Sequence, residues 1–279
     1  VTSIAVAQDS PEVVYVGTAS GGLWKSTSAG VTWEPVFDDQ PTQSIGAVAL
    51  SAVNPDLVWA GTGEGNPRNS HTSGRGIYKS LDAGETWSFM GLEDTKNIHR
   101  IIVHPRDPNT VFVAATGSAW GDSEARGVYK TTDGGLTWNH ILSVDERTGC
   151  AELIMDSSNP DKLFAAMWSF RRLPWTFQSG GQGSGLYVTH DGGDTWVERT
   201  SEDGLPEGEL GRMGLAMSAA NPDVVYALVE STEYALYRSD DGGQTFSLRS
   251  KDSDVGNRPF YYAEIHADPT NEDHVFSLW

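Results

Sequence analysis

Apolar and polar residues alternate along this chain in short runs of period two, and the runs return in groups of four. Alternation over four to six residues, bounded by turn-forming residues, predicts β-strands with one face turned to a core. The first run of each group reads SIAVA from Ser3, GAVAL from Gly46, RIIV from Arg100, ELIM from Glu152 and GLAM from Gly214. A turn of Asn, Asp and Pro follows (SPEV, NPDL, DPNT, NPDK, NPDV), then a β-branched and aromatic run such as VVYVGT, LVWAGT or TVFVAA. The third run is GLWKS, GIYKS, GVYKT, GLYVT or ALYRS, and a fourth leaves a recurring eight-residue box.

That box reads STSAGVTW from Ser26, SLDAGETW from Ser80, TTDGGLTW from Thr131, THDGGDTW from Thr189 and SDDGGQTF from Ser239. Its aromatics, Trp33, Trp87, Trp138, Trp196 and Phe246, recur every 50 to 58 residues. Self-similarity at that period marks a repeat architecture, and four strands per repeat is the unit of a β-propeller blade. The expectation is therefore an all-β fold, a β-propeller of four-stranded blades forming one domain over residues 1–279. Five blades are complete, and Tyr261 to Trp279 starts a sixth, as a piece of a longer chain.

Within the box, the aspartates Asp82, Asp133, Asp191 and Asp241 are suited to bonding backbone N–H groups while glycine supplies a positive φ. Ser28 replaces the aspartate in the first box. Calcium ligation or acid catalysis by these residues is the alternative, but five copies of one turn are better explained by folding.

Strand parity separates two ends of each blade. Boxes and NP turns share one end, which is uniform. The opposite end carries the connections between second and third strands: a few residues around Ala19, then EGNPRNSHTSGR with Arg68, GSAWGDSEAR with Trp120, and SFRRLPWTFQSGGQGS with Arg171, Arg172, Trp175 and Phe177. The blade junctions LEDTKNIHR, DERTGC, EDGLPEGELGR and SDVGNRPFYY lie at that end too. Varied loops on a rigid scaffold are where recognition is expected, and aromatics with arginine suit both recognition surfaces and sugar stacking. Trp175 either stacks on a ligand or plugs its own loop.

Aligning the first strands on their turns places Ser3, Ala47, Arg100, Glu152, Gly214 and Glu264 in register, with His99, Arg212, Tyr261 and Tyr262 close to that level. Glu152 and Glu264 beside Arg100 form a candidate acid–base pair for glycoside cleavage. The alternative is an ion pair between Arg100 and Glu152 with Glu264 solvated.

Composition narrows the function classes. The net charge of −19 opposes nucleic acid and anionic membranes as partners. No apolar run approaches the roughly 20 residues of a membrane span. Cys150 is the one cysteine, which excludes an internal disulfide or a cysteine metal cage. DSDVG from Asp252 is a weak calcium-loop pattern. No metal or cofactor is expected.

The boxes, with VYVGTASGGLWKSTSAGVTW at the front, resemble those of BNR/Asp-box propellers. Within that group the chain is similar to the sortilin-type (vacuolar-sorting-receptor-like) bacterial repeat proteins often labelled glycosyl hydrolases. The resemblance covers the whole chain and implies the fold; the group spans sialidases, xyloglucanases, sorting receptors and a photosystem assembly factor. The xyloglucanases of glycoside hydrolase family 74 carry a catalytic Asp in a segment like RTDVGGAYR, where this chain has GTASGGLWK with Ala19 at that position. The sialidase FRIP motif is absent, and no arginine triad can be identified. The expected function is an exported (secreted, periplasmic or cell-surface) binding or scaffolding module for a protein, peptide or glycan, with further blades or domains of the same longer chain. The competing expectation is a glycoside hydrolase using Glu152 and Glu264.

Overall fold

The computed structural model describes residues 1–232, 234–256 and 260–278. Asn257 to Pro259 of the last junction, and Trp279 at the end of the expected sixth-blade segment, lie outside the described residues. The chain falls into two compact units. One comprises Val1–Gly65, Ser70–Ser118 and Ser123–Ile141; the other comprises Asn66–Asn69, Ala119–Asp122 and the chain from Leu142 onward.

Three antiparallel sheets make up the first unit. They are β1 to β4 (Ser3–Ala7, Ser10–Gly17, Leu23–Ser26, Glu34–Pro35), β5 to β8 (Ile45–Leu50, Val58–Thr62, Ile77–Ser80, Ser88–Phe89) and β9 to β12 (Ile98–Val103, Val111–Ala115, Gly127–Thr131, Asn139–Leu142). The second unit has β13 to β17 (Thr148–Met155, Leu163–Leu173, Thr176–Ser179, Gly185–Thr189, Val197–Arg199), β18 to β21 (Met213–Met217, Val225–Val229, Ala235–Ser239, Ser247–Ser250) and the pair β22 and β23 (Glu264–Ala267, Val275–Leu278). Apart from β15, the strands of each sheet lie side by side in chain order, the up-and-down arrangement of a propeller blade. First strands of successive blades are neighbours, β1 with β5 and β5 with β9 in the first unit, β13 with β18 and β18 with β22 in the second. The fold is an all-β propeller, with five full blades and the first two strands of a sixth among the described residues.

Two segments differ from the sequence reading. In blade one, SPEV is not a turn: β2 already begins at Ser10, because Ala7 pairs with Ser10 across a two-residue connection. In blade four the expected long loop is a hairpin. β14 continues for eleven residues, and its end, Phe170 to Leu173, pairs with β15.

The recurring residues explain how blades hold together. In each of the four boxes that carry the aspartate, the Ser or Thr hydroxyl donates to its Oδ1 at 2.7 Å, as in Ser80–Asp82 and Thr131–Asp133, and accepts the N–H of the box glycine. The aspartate also accepts from the amide of the threonine that precedes the box aromatic, as from Thr86 and Thr137, and its other oxygen takes that threonine's hydroxyl. These threonine donors, with the Ser or Thr hydroxyl, hold the carboxyls of Asp82, Asp133 and Asp191 well below the usual range, Asp82 at about 2. Partial burial pushes Asp241 upward, but the equivalent donors outweigh it and hold the group at about 2.

The box then seats on the preceding blade. Trp87 Nε1 donates to Val36 O at 2.7 Å and Trp138 Nε1 to Met90 O at 2.8 Å. Lysines of the third strands reach forward to the next box, Lys25 to Ala83 O and Lys79 to Gly134 O. The same ammoniums lie over the second-strand aromatics, Lys25 on Tyr15 and Lys79 on Trp59, with Lys162 on Phe164 in the second unit. A Cβ added at Gly135 would meet Trp59, and one at Gly243 would collide with Phe164, so glycine lets each box lie directly on an aromatic ring.

Candidate functional site

The box end of each blade is closed by one further bond. Ala29 N donates to Glu12 O, Ala83 N to Asp56 O, Gly134 N to Asn109 O, Gly192 N to Asp161 O and Gly242 N to Asp223 O. The box therefore bonds the turn between the first two strands in blades two to five, and in blade one it bonds β2 at Glu12, two residues past the start of that strand. The connections between second and third strands, and the blade junctions, emerge at the other end.

At that other end the second unit gathers pieces of three loops. Asn66–Asn69 and Ala119–Asp122 come from the long connections of blades two and three, and both pack with the hairpin of blade four. Arg172 N donates to Ala119 O at 2.8 Å, and Arg172 Nη2 to Pro67 O. Arg171 pairs with Asp122, which also faces Arg147 at 3.8 Å, and Arg147 reaches Gln178 Oε1 at 3.0 Å. Arg212 Nη2 donates to Asn66 Oδ1 at 2.8 Å.

Aromatic rings fill the space beneath. Trp168 is fully buried in the middle of β14 and stacks on Phe170 at 4.2 Å. Phe177, Phe260, Tyr261 and Tyr262 continue the chain of contacts at 5.3 to 5.8 Å. Arg172 lies over Phe177 and Arg212 over Trp168, so both guanidiniums sit on ring faces. Three aromatics face solvent: Trp175 at the hairpin tip is 80% exposed, Trp120 and Tyr262 each 44%. Trp175 does not plug its own loop.

Arg212 itself is buried. Its Nη1 donates to Tyr261 O at 3.2 Å and to Phe260 O at 3.4 Å, so it braces the last junction from below. Its backbone N–H donates to Glu230 Oε2 at 2.8 Å, and the same oxygen accepts Ser179 Oγ at 2.6 Å. Ser179 Oγ in turn takes the N–H of Trp168 at 3.1 Å. Burial pushes the Glu230 carboxyl above its usual range, an effect opposed by the Ser179 and Arg212 hydrogen bonds and the Arg212 charge.

The remaining candidates are distributed as follows. Arg68 is half-buried in the 66–69 segment, its N–H on Asn66 O. His99 and Arg100 belong to the first unit. His99 is buried where the β9–β10 ladder slips by a residue, and a Cβ at Gly65 would collide with its ring. Arg100 is half-buried and donates to His99 O at 3.1 Å. Glu152 and Glu264 belong to the second unit, on first strands of alternate blades with β18 between them. Glu152 is buried and its carboxylate accepts the N–H of Leu153 at 3.2 Å; Glu264 is half-buried. Strand register matches the sequence alignment, because these positions face equivalent residues: Ala47 faces Gly61, Arg100 Ala114, Glu152 Ala166, Gly214 Leu228 and Glu264 Leu278.

Ala19 lies in a tight connection where Thr18 Oγ1 accepts Gly21 N and donates to Gly22 O. Asp252 caps a short 3-10 turn, Ser253–Val255, by accepting Asp254 N. Among the described residues no three His, Cys, Asp or Glu side chains cluster as metal ligands, and no helix is long and apolar enough to cross a membrane.

Sequence reasoning did not find Glu230, Ser179 or Asn66. Glu230 directly follows the apolar strand β19, and its partner Ser179 is 51 residues away; no local pattern joins them.

The geometry has named counterparts. A xyloglucanase of Paenibacillus sp is 23% identical over 256 residues, covering 81% of this chain and 23% of its own. A xyloglucanase of Hypocrea jecorina is 26% identical over 214 residues, covering 69% of this chain and 24% of its own. This chain thus spans about a quarter of the length of these curated relatives. Among solved structures, an ancestral GH74 enzyme superposes with a TM-score of 0.65 at 18% identity, over 96% of this chain and 33% of that one. The GH74 enzyme of Niastella koreensis gives 0.53 at 18% identity, over 95% and 52%. These likenesses carry the propeller fold. Residues 21–167 match the Sortilin-Vps10 family model, described as "Sortilin, neurotensin receptor 3". With more than half its length inside that model and an Asp-box in every full blade but the first, where serine replaces the aspartate, the chain belongs to the Sortilin-Vps10 family of BNR-type propellers.

Proposed function

We propose that this chain is the glycan-engaging part of an exported, glycoside-hydrolase-type propeller, and that the ligand lies on the loop platform of the second unit. The observation that carries the reading is the set of solvent-facing aromatics, Trp175, Trp120 and Tyr262, mounted beside paired arginines on a hairpin and loops that are themselves tied down. Flat aromatic faces bury large area at modest entropic cost, and a rigid mount lowers the ordering cost of binding. The xyloglucanase relatives favour a β-linked glucan chain over a peptide as ligand.

Those relatives also favour hydrolysis over scaffolding alone. In that reading Glu152 and Glu264 are the carboxylates to test, as an acid–base pair needs a separation of roughly 5–10 Å. Ala19 at the position of the family-74 aspartate, and the burial of Glu152, support binding as the part this segment contributes.

Isothermal titration with xyloglucan oligosaccharides, followed by a reducing-end assay, tests both. Binding that weakens about tenfold in Trp175→Ala supports the platform; undiminished binding in that variant overturns it. Turnover abolished by Glu152→Gln or Glu264→Gln assigns the chemistry to this chain, and turnover unchanged by both removes the pair.

A further inference from the structure

The hairpin of blade four is the element the platform depends on, and its anchoring is asymmetric. At its tip Trp175 is open to solvent, while Arg171 and Arg172 tie β14 to neighbouring loops. The returning strand β15 is tied to blade five at its end by the Gly181 N–Leu210 O bond and through the side chain of Ser179, whose hydroxyl sits between Trp168 Nε1 and the Glu230 carboxylate. The same Glu230 oxygen also accepts Arg212 N, and the Glu230 N–H donates to Arg212 O at 3.1 Å, so the carboxylate belongs to blade five and not to the hairpin.

We infer that Glu230 is a positioning residue for the aromatic hairpin: its carboxylate locks β15 to blade five through Ser179 Oγ, and the lock is released when the carboxylate takes up a proton. A hydrogen bond to an ionised oxygen is about twice as strong as a neutral one. Uptake of one proton from solvent leaves a carboxylic acid that accepts Ser179 Oγ more weakly and competes for the same hydroxyl as a donor. Among the described residues, the other titratable groups facing Glu230 are Arg212, on the segment leading into β18, and Tyr234, on the segment after β19. Both keep one protonation state across mildly acid pH, since Tyr234 is pushed further up by burial and arginine stays charged. Burial pushes Glu230 itself upward, which moves the release toward neutral pH and away from the range of exposed carboxylates.

The mechanical part of this inference is independent of any ligand; its consequence for affinity rests on the glycan-binding reading. A nitroxide attached at Trp175→Cys reports hairpin motion by electron paramagnetic resonance, with the native Cys150 buried and out of reach. Between pH 7 and pH 5 the mobile fraction is expected to rise about tenfold in the labelled protein. Adding Glu230→Gln should make the spectrum independent of pH, and adding Ser179→Ala should give the mobile spectrum at both values. An unchanged spectrum on acidification, or an undiminished pH response with Glu230→Gln, overturns the assignment. Titration of xyloglucan oligosaccharide into the unlabelled protein at the same pH values separates the two claims: a pH-driven change in mobility with no binding at pH 7 retains the lock and rejects the glycan reading.

Discussion

The two ends of a blade solve different problems with different residues. At the box end the same bonds recur: hydroxyl to aspartate, aspartate to threonine, and the box amide to the turn of its own blade. At the second unit's loop end each arginine is held differently. Arg171 meets a carboxylate, Arg172 a carbonyl and a ring, and Arg212 two carbonyls, an amide and a ring. Repetition is what a packing requirement produces when every blade meets the same neighbour. Individual contacts are what a shaped surface requires, and they are built on top of the repeated ones. Substitutions at the box end should therefore cost stability and spare binding, and substitutions at the loop tips should do the reverse.

The largest effect is expected at Thr131, whose buried hydroxyl serves both Asp133 Oδ1 and Gly135 N. Thr131→Val keeps the shape but leaves the buried Gly135 N–H unpaired and removes one donor from Asp133, and should destabilise by about 2–3 kcal/mol. Urea unfolding measures this, with oligosaccharide affinity of the folded protein unchanged. Acid comes next. The folded-state pKa values of the box aspartates are depressed, Asp82 and Asp241 to about 2. The stability they contribute is complete above the ordinary aspartate range near about 4 and is lost as pH falls from there toward about 2. The urea midpoint should drop across that window, and Asp82→Asn should flatten part of the drop.

Much of this was legible beforehand, for reasons specific residues make plain. Five boxes at a regular interval exposed the blades, and strand parity put boxes and NP turns together, as the Ala83–Asp56 bond bears out. The hairpin was not legible, because its turn, Pro174–Trp175 within RRLPWTFQ, lacks the Asn-Gly or Asp-Gly signal that marks two-residue connections. Nor could the sequence show that Trp87 and Trp138 bond to the preceding blade: Trp87 and Val36 are 51 positions apart. Of the candidate ligand residues, Arg68, Trp120, Arg171, Arg172, Trp175, Arg212, Tyr261 and Tyr262 come together in the second unit. Which of these are exposed and which brace the surface depended on packing that spans distant segments.

A smaller effect sharpens the loop-end side. Trp175→Ala should leave unfolding within about 0.5 kcal/mol of the parent, as for other exposed substitutions, while weakening oligosaccharide binding. The smallest concerns Ala83, which has φ 58° where three later boxes place glycine. Ala83→Gly should stabilise by about 0.5–1 kcal/mol by relieving that conformation, read as a shift in urea midpoint with binding unaltered.

Hydrogen–deuterium exchange with and without a saturating xyloglucan oligosaccharide tests the division of labour most directly. Protection confined to the hairpin from Trp168 to Ser179, the 119–122 segment and Phe260 to Tyr262, with the five boxes unchanged, is the expected footprint. Protection centred on the boxes, with the hairpin unaffected, would contradict the account.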